Sequence, residues 1–286
     1  MNNIKIGELE IGDGQPLILV GGPCVIENET IVLKTAENIK KITDKIGMPF
    51  IFKSSYLKDN RSSADSYQGI GLEKGLKILQ KVKDDVGVPV LSDIHDQHDA
   101  EACAEILDVI QIPAFLSMQT SLLLAVAKTG KTINVKKGQF LSASDMQTAV
   151  NKITGVGNQN IILTDRGTFF GYHNLVMDMR NLKVMRDLGY PVILDPTHAI
   201  RKYGVSSSDR RGGAKEFIFP LTRAGVAAGI DGIFIETHPD CDSALCDAAS
   251  MLPLQKLEEL LIQAKAIDEM VKPHLKNDEI GIYDYK

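Results

Sequence analysis

The chain has 286 residues, 44% hydrophobic and 24% charged, a balance that excludes disordered and fibrous classes and supplies a core needing no disulfide staples. Its net charge of −5 and pI near 5.7 leave no overall basic field for nucleic acid or an anionic membrane, so any anion binding must be local. No apolar run approaches the roughly 18 residues of a membrane span.

From the amino terminus, Met1–Asp13 is polar and lacks the apolar block of a signal peptide, which makes the cytoplasm the expected location. The four cysteines, Cys24, Cys103, Cys241 and Cys246, are then expected as thiols or ligands rather than disulfides. Ile4–Ile11 alternates around Gly7 and is followed by Asp13–Gly14, the pattern of a small hairpin or an adherent tail. Short apolar runs then predict strands at Leu17–Gly21, Phe50–Lys53, Pro89–Ser92, Val109–Ile112, Thr132–Lys136, Ile161–Thr164, Val192–Asp195 and Gly232–Glu236. Continuous runs of this kind mark parallel strands covered on both faces. Between them lie helical patterns, among them Ile31–Ile46, Leu72–Val86, Ser144–Thr154, Ala214–Ala228 and Leu254–Val271. The first opens on the acidic, cap-forming Glu27–Asn28–Glu29.

Eight strands, each followed by a helical segment, match a (β/α)₈ TIM barrel forming one catalytic domain over 1–286. Residues 1–14 then form a hairpin under the barrel and 272–286 a C-terminal tail. A doubly wound sheet lacks its signature here: Gly69–Gly75 does not follow a strand, and Lys128–Thr132 runs into a strand instead of out of one. Two long polar loops, Ser54–Gln68 and Arg201–Gly213, have the length of lids or binding loops.

Chemistry in such a barrel sits at the carboxyl ends of the strands. In order these ends carry Cys24, then Lys53 with Ser55 and Lys58, then Asp93, Gln111, Lys136, Arg166, His198 and Glu236. Any one of them alone reads equally as a solvated loop residue, but every strand delivers one. Converging cations (Lys53, Lys58, Arg61, Lys136, Lys137, Arg166) imply a ligand with more than one negative group, because unpaired lysines are costly in a barrel mouth. Asn60, Arg61, Ser62 and Ser63 offer an amide, a guanidinium and two hydroxyls, either a phosphate cradle or a polar turn. Cys24, His198, Glu236 and Asp247 together offer sulfur, imidazole nitrogen and carboxylate oxygen, which suits a borderline transition metal and not Mg²⁺ or Ca²⁺. Individually, Cys24 reads as a buried apolar thiol and His198 as a core histidine or a general base. Cys241 and Cys246 lie off the strand ends and are expected as loop thiols. His95, His98 and His238 are expected outside direct ligation.

The segments GGPCVIENE, FKSSYLKDNRSS, VLSDIHD, IQIPAFLS, NVKKGQFLS, TDRGTFFGYHNL, VILDPTHA and IFIETHPD…CDAASMLPL resemble the 3-deoxy-D-manno-octulosonate 8-phosphate (KDO-8-phosphate) synthases from about Gly21 to Leu254. The 3-deoxy-D-arabino-heptulosonate 7-phosphate synthases share the Gly-Pro-Cys start but typically follow the strand-two lysine with Pro-Arg-Thr, where Ser54–Ser55 stands here. The resemblance implies condensation of phosphoenolpyruvate with arabinose 5-phosphate, in a homotetramer, for lipopolysaccharide biosynthesis. It also implies the metal-dependent branch, marked by Cys24, with His198, Glu236 and Asp247 as further ligands of a divalent ion such as Zn, Fe or Mn. By the same resemblance Lys53 and Lys58 hold the carboxylate of phosphoenolpyruvate, Lys136 (rather than Lys137) and Arg166 its phosphate, and Asn60, Arg61 and Ser62 the sugar phosphate. Ser55, Asp93 and Gln111 fall among the substrate-binding positions, and Asp247, Glu236 or His198, where not committed to the metal, is expected to move a proton. The alternatives are the seven-carbon synthase acting on erythrose 4-phosphate and a non-catalytic barrel that binds phosphometabolites.

Overall fold

Alternation inside the apolar runs decides the architecture. In the computed structural model, which describes residues 1–60, 65–169, 174–205 and 209–277, the strands β3 (Ile18–Gly22), β4 (Phe50–Lys53), β5 (Val90–Asp93), β6 (Val109–Ile112), β7 (Thr132–Lys136), β8 (Ile161–Asp165), β9 (Val192–Leu194) and β10 (Gly232–His238) pair in parallel in chain order, and β10 also pairs with β3. Gly232 stands opposite Ile18 on one side and Ile193 on the other, which closes the eight-stranded barrel. Neighbours along a strand face opposite sides. Ile18, Val20, Ile51, Leu91, Val109, Ile162, Ile193 and Phe234 therefore pack together inside the barrel. The intervening Leu19, Phe52, Val90, Ile110, Ile133, Leu163, Val192 and Ile235 pack outward against the helices.

On six of the strands the sequence turns polar two residues beyond the inner apolar side chain, on the same face: Lys53 after Ile51, Asp93 after Leu91, Gln111 after Val109, Thr164 after Ile162, Asp195 after Ile193 and Glu236 after Phe234. The barrel is thus apolar at its amino end and ionised at its carboxyl end. At the amino end β1 (Ile4–Ile6) and β2 (Leu9–Ile11) pair antiparallel. Ile4, Ile6 and Ile11 join the inner apolar cluster, so the plug is found and not the adherent tail.

Each of the five helical patterns named from the sequence holds a helix. In α1 (Glu29–Ile46) the Asn28 side chain accepts from the Ile31 amide, Val32, Ala36, Ile39 and Thr43 are buried, and Gly47 ends the helix at φ 64. The others are α2 (Leu72–Lys81), α3 (Ala100–Ile106), α4 (Thr120–Lys128), α5 (Met146–Thr154), α6 (Arg180–Arg186), α7 (Pro196–Ala199), α8 (Ile218–Ala227) and α9 (Leu257–Val271). The helix expected over 72–86 is α-helical only to Lys81 and widens into a π turn, Val82–Val86. Two differences from the sequence reading matter for the site. Asp195 is not the last residue of β9; its side chain caps α7 by accepting from the His198 amide. A short strand β11 (Leu252–Pro253), unforeseen in the sequence, pairs with β10. No helix among the described residues is long and apolar enough to cross a membrane.

Candidate active site

The carboxyl end of the barrel opens into a cavity of about 250 Å³ whose wall includes Lys53, Lys58, Asn60, Asp93, Gln111, Lys136, Arg166, His198 and Asp247. Residues from distant parts of the chain meet there because they lie at or just beyond the carboxyl ends of the strands: Lys53, Asp93, Gln111 and Lys136 on the strands, the others in the segments that follow them. Beneath the opening runs a polar chain. Thr164 Oγ1 donates to Asn134 Oδ1 (2.7 Å), Asn134 Nδ2 to Gln111 Oε1 (2.8 Å), and Gln111 Nε2 to Asp93 Oδ1. The other Asp93 oxygen accepts from Ser55 Oγ at 2.5 Å and Lys58 Nζ at 3.2 Å. Burial would raise the Asp93 pKa, but Lys58 and Lys53 outweigh it and hold the carboxyl well below the usual range. Burial likewise works against the charge on Lys58, yet Cys24, Asp93 and Glu236 carry its pKa well above the ordinary lysine value.

Lys136 pairs with Asp195 and lies 3.6 Å from the centroid of the Phe234 ring. Burial lowers its pKa in spite of that pairing, so an incoming anion would restore what the ammonium loses by desolvation. Lys137 points the other way. Its Nζ lies 3.4 Å from Asp165 and donates to Leu141 O, Gly167 O and Thr168 Oγ1. The lysine facing the cavity is Lys136. Arg166 donates to the Tyr203 hydroxyl at 2.7 Å, which also accepts from Gln139.

Lys53 Nζ contacts Glu236 Oε1 and the Cys24 carbonyl, each at 3.0 Å. His198 places Nδ1 2.7 Å from Asp195 and Nε2 3.7 Å from both Glu236 and Asp247. Burial keeps the His198 pKa below the ordinary histidine value. Burial also pushes the Cys24 thiol well up, reinforced by Cys246 and Asp247. Gly22 lets the end of β3 pass close to that of β4: at φ 152 a Cβ there would meet the Lys53 carbonyl at 2.1 Å.

All four expected ligands are present in two overlapping sets, Cys24–Cys246–Asp247 and His198–Glu236–Asp247, each with its donor atoms within 4.8 Å of one another. The donor chemistry fits a borderline divalent ion. Glu236 Oε2 is buried without a hydrogen-bond partner among the described residues, and two buried thiols stand beside carboxylates that an ion would neutralise.

The structure corrects the expectation for Cys246. This residue is not a remote loop thiol: it is 1% exposed, and its Sγ lies 2.9 Å from that of Cys24. Cys241 is as expected, its thiol turned toward the carbonyls of His238 and Met251. His95, placed outside ligation, lines the cavity, whereas His98 is exposed. Arg61, Ser62 and Ser63 lie outside the described residues, as do 206–208 of the second long loop and 278–286 of the tail. Three residues not singled out belong to the site. Asp195 pairs with Lys136 and His198; a Ser/Thr/Asp/Asn before Pro at a helix start was its available signal. Arg201 pairs with Asp247, and Tyr203 holds Arg166.

Residues 2–273 match the model of the DAHP synthetase I family. Over 269 residues the chain is 51% identical to a 2-dehydro-3-deoxyphosphooctonate aldolase of Trichlorobacter lovleyi, covering 94% of this chain and 98% of that one. It is 52% identical over 272 residues to the protein of the same name in Geotalea daltonii, covering 95% and 100%. It is 49% identical to that of Syntrophotalea carbinolica over 271 residues, covering 95% and 98%. With a closed barrel, a cation-rimmed cavity and a matched length this complete, the chain belongs to the DAHP synthetase I family.

Proposed function

We propose that this chain condenses phosphoenolpyruvate with arabinose 5-phosphate and water, giving 3-deoxy-D-manno-octulosonate 8-phosphate and inorganic phosphate. The observation that carries this reading is the convergence of Lys53, Lys58, Lys136 and Arg166 on one cavity in a chain about half identical, end to end, to 2-dehydro-3-deoxyphosphooctonate aldolases. Four cations at one mouth suit substrates that carry a carboxylate and two phosphates between them.

In this reading Lys136 and Arg166 hold the phosphate of phosphoenolpyruvate, and Lys53 and Lys58 hold its carboxylate. Asp93, gripped by Ser55, Lys58 and Gln111, fixes that side of the cavity. Asn60, at the rim, with Arg61 and Ser62 takes the sugar phosphate. Anchoring both anions brings C3 of the enol ether against the sugar aldehyde, and positioning of this kind is worth about 7–11 kcal/mol of barrier. The new bond joins C3 to the aldehyde carbon, whose oxygen takes a proton; water adds at C2, and phosphate leaves. Asp247, Glu236 or His198 would move that proton, whichever of them is not committed to a metal ion. Cys24, His198, Glu236 and Asp247 would hold a divalent ion such as Zn²⁺, Fe²⁺ or Mn²⁺. When bound, such an ion supplies Lewis acidity and orientation for oxygen ligands. A homotetrameric assembly and a cytoplasmic location belong to the same reading.

The test is phosphate release from phosphoenolpyruvate with either arabinose 5-phosphate or erythrose 4-phosphate, with and without chelator and metal add-back. Turnover is expected with the five-carbon sugar only, lost in chelator and restored by metal. Preference for erythrose 4-phosphate would reassign the chain to the seven-carbon reaction, and binding without release would make it a phosphometabolite sensor.

A further inference from the structure

Asp247 presents its two oxygens to different partners. Oδ2 faces His198 Nε2 at 3.7 Å, toward the set that includes Glu236. Oδ1 accepts from Arg201 Nη1. Arg201 is a cavity-wall residue with 16% of its side chain exposed, against 9% for Asp247. It arrives from the segment just after α7, so His198 and Arg201 reach the same carboxylate from one turn of chain. Glu236 differs in this respect: one of its oxygens is held by Lys53, while the other is buried with no hydrogen-bond partner among the described residues.

We infer that Arg201 is a built-in counter-cation of the Cys24–Cys246–Asp247 cluster, a positioning residue that sets how tightly this site takes a divalent ion. The inference rests on the proposed metal-binding reading of the site. Without an ion, two buried thiols and two buried carboxylates share a small volume, and the guanidinium offsets that charge. With an ion present, guanidinium and metal share one carboxylate in a poorly screened environment, where like charges oppose each other strongly. A second effect runs the other way, since a donor on Oδ1 orients the carboxylate so that Oδ2 points at the other ligands. Charge and orientation can be separated because Gln keeps a donor and drops the charge, whereas Lys keeps the charge and loses the planar fork.

Metal-stripped full-length protein is titrated with Zn²⁺ against a chromogenic chelator, comparing wild type with Arg201→Gln, Arg201→Met, Arg201→Lys and Cys24→Ala, each checked for its fold by circular dichroism. Arg201→Gln and Arg201→Met are expected to bind Zn²⁺ at least about tenfold tighter than wild type, about 1.4 kcal/mol, and Arg201→Lys within about threefold of it. Wild type that binds Zn²⁺ through Cys24, with neutral variants no tighter, overturns the inference alone. Wild type that takes up no Zn²⁺, or takes it up equally without Cys24, overturns the metal-binding reading and this inference with it.

Discussion

Adjacent lysines in one sequence can have unrelated tasks, and Lys136 and Lys137 separate them by the faces of one strand. Lys136 closes β7 on its inner face, beside Asp195 and over Phe234. Lys137 is wholly buried behind the barrel wall and ties Asp165 to the backbone of two loops. Removing Lys137 leaves Asp165 without that ammonium, a change that costs about 3–5 kcal/mol when a buried pair loses one partner. Removing Lys136 takes a cation from the reacting phosphate in the proposed function, where the loss of one electrostatic contact lowers turnover by about 10²–10³. Lys137→Ala and Lys136→Ala are therefore both expected to lower the urea midpoint, since each breaks a buried pair, and Lys136→Ala alone to lower kcat/KM for phosphoenolpyruvate. Urea melts and steady-state rates on both variants check this, and the reverse pattern would assign the phosphate to Lys137.

At the level of elements, the N-terminal hairpin and the active end are opposite poles of one barrel interior. Ile6 is 3% exposed and belongs to the inner apolar cluster with Ile51 and Leu91, which lies beneath the ionised layer. Ile6→Ala should cost about 2–4 kcal/mol, the range for truncating a buried aliphatic, while kcat at a permissive temperature stays near wild type. A fall in kcat without a fall in stability would show that the plug couples to the site. The eight strands could be read in the sequence because apolar runs bounded by Gly, Pro or polar residues recur with helical segments between them. The site was legible for the related reason that polar residues close those runs, and Lys53, Gln111, Lys136 and Glu236 end up on the inner face. Cys246 was hidden because no periodicity governs the segment between β10 and β11. Its place is fixed by the pairing of Thr237 with Leu252 and by the left-handed backbone of Asp247 at φ 50, neither of which leaves a pattern in the residues. Arg201 and Tyr203 were hidden likewise, in a polar loop whose path only the fold defines.

For the whole molecule, the ionised layer makes stability depend on pH in a direction that can be worked out. Burial would raise the pKa of Asp195, but His198 and Lys136 hold it well below the usual carboxylate range. Asp93 is held down by Lys58 and Lys53, and Glu236 more modestly by His198, Lys53 and Lys58. A carboxylate whose pKa is depressed by folding gives stability that is present above its unfolded value, near about 3.9 for Asp, and that is lost as pH falls through the folded value. Asp231 opposes this, since burial raises its pKa even though Arg186 pairs with it. It is a single group against three, and its shift is not among the large ones. The urea midpoint is therefore expected to hold from neutral pH to about pH 5 and to fall steeply below about pH 4. Asp195→Asn should lower the midpoint at neutral pH, because Lys136 loses its partner, and should flatten the acid limb, because one depressed carboxylate is gone. A wild-type midpoint that stayed level to about pH 3 would mean that these lysine–carboxylate pairs contribute no net stability and that the barrel's apolar half carries the fold alone.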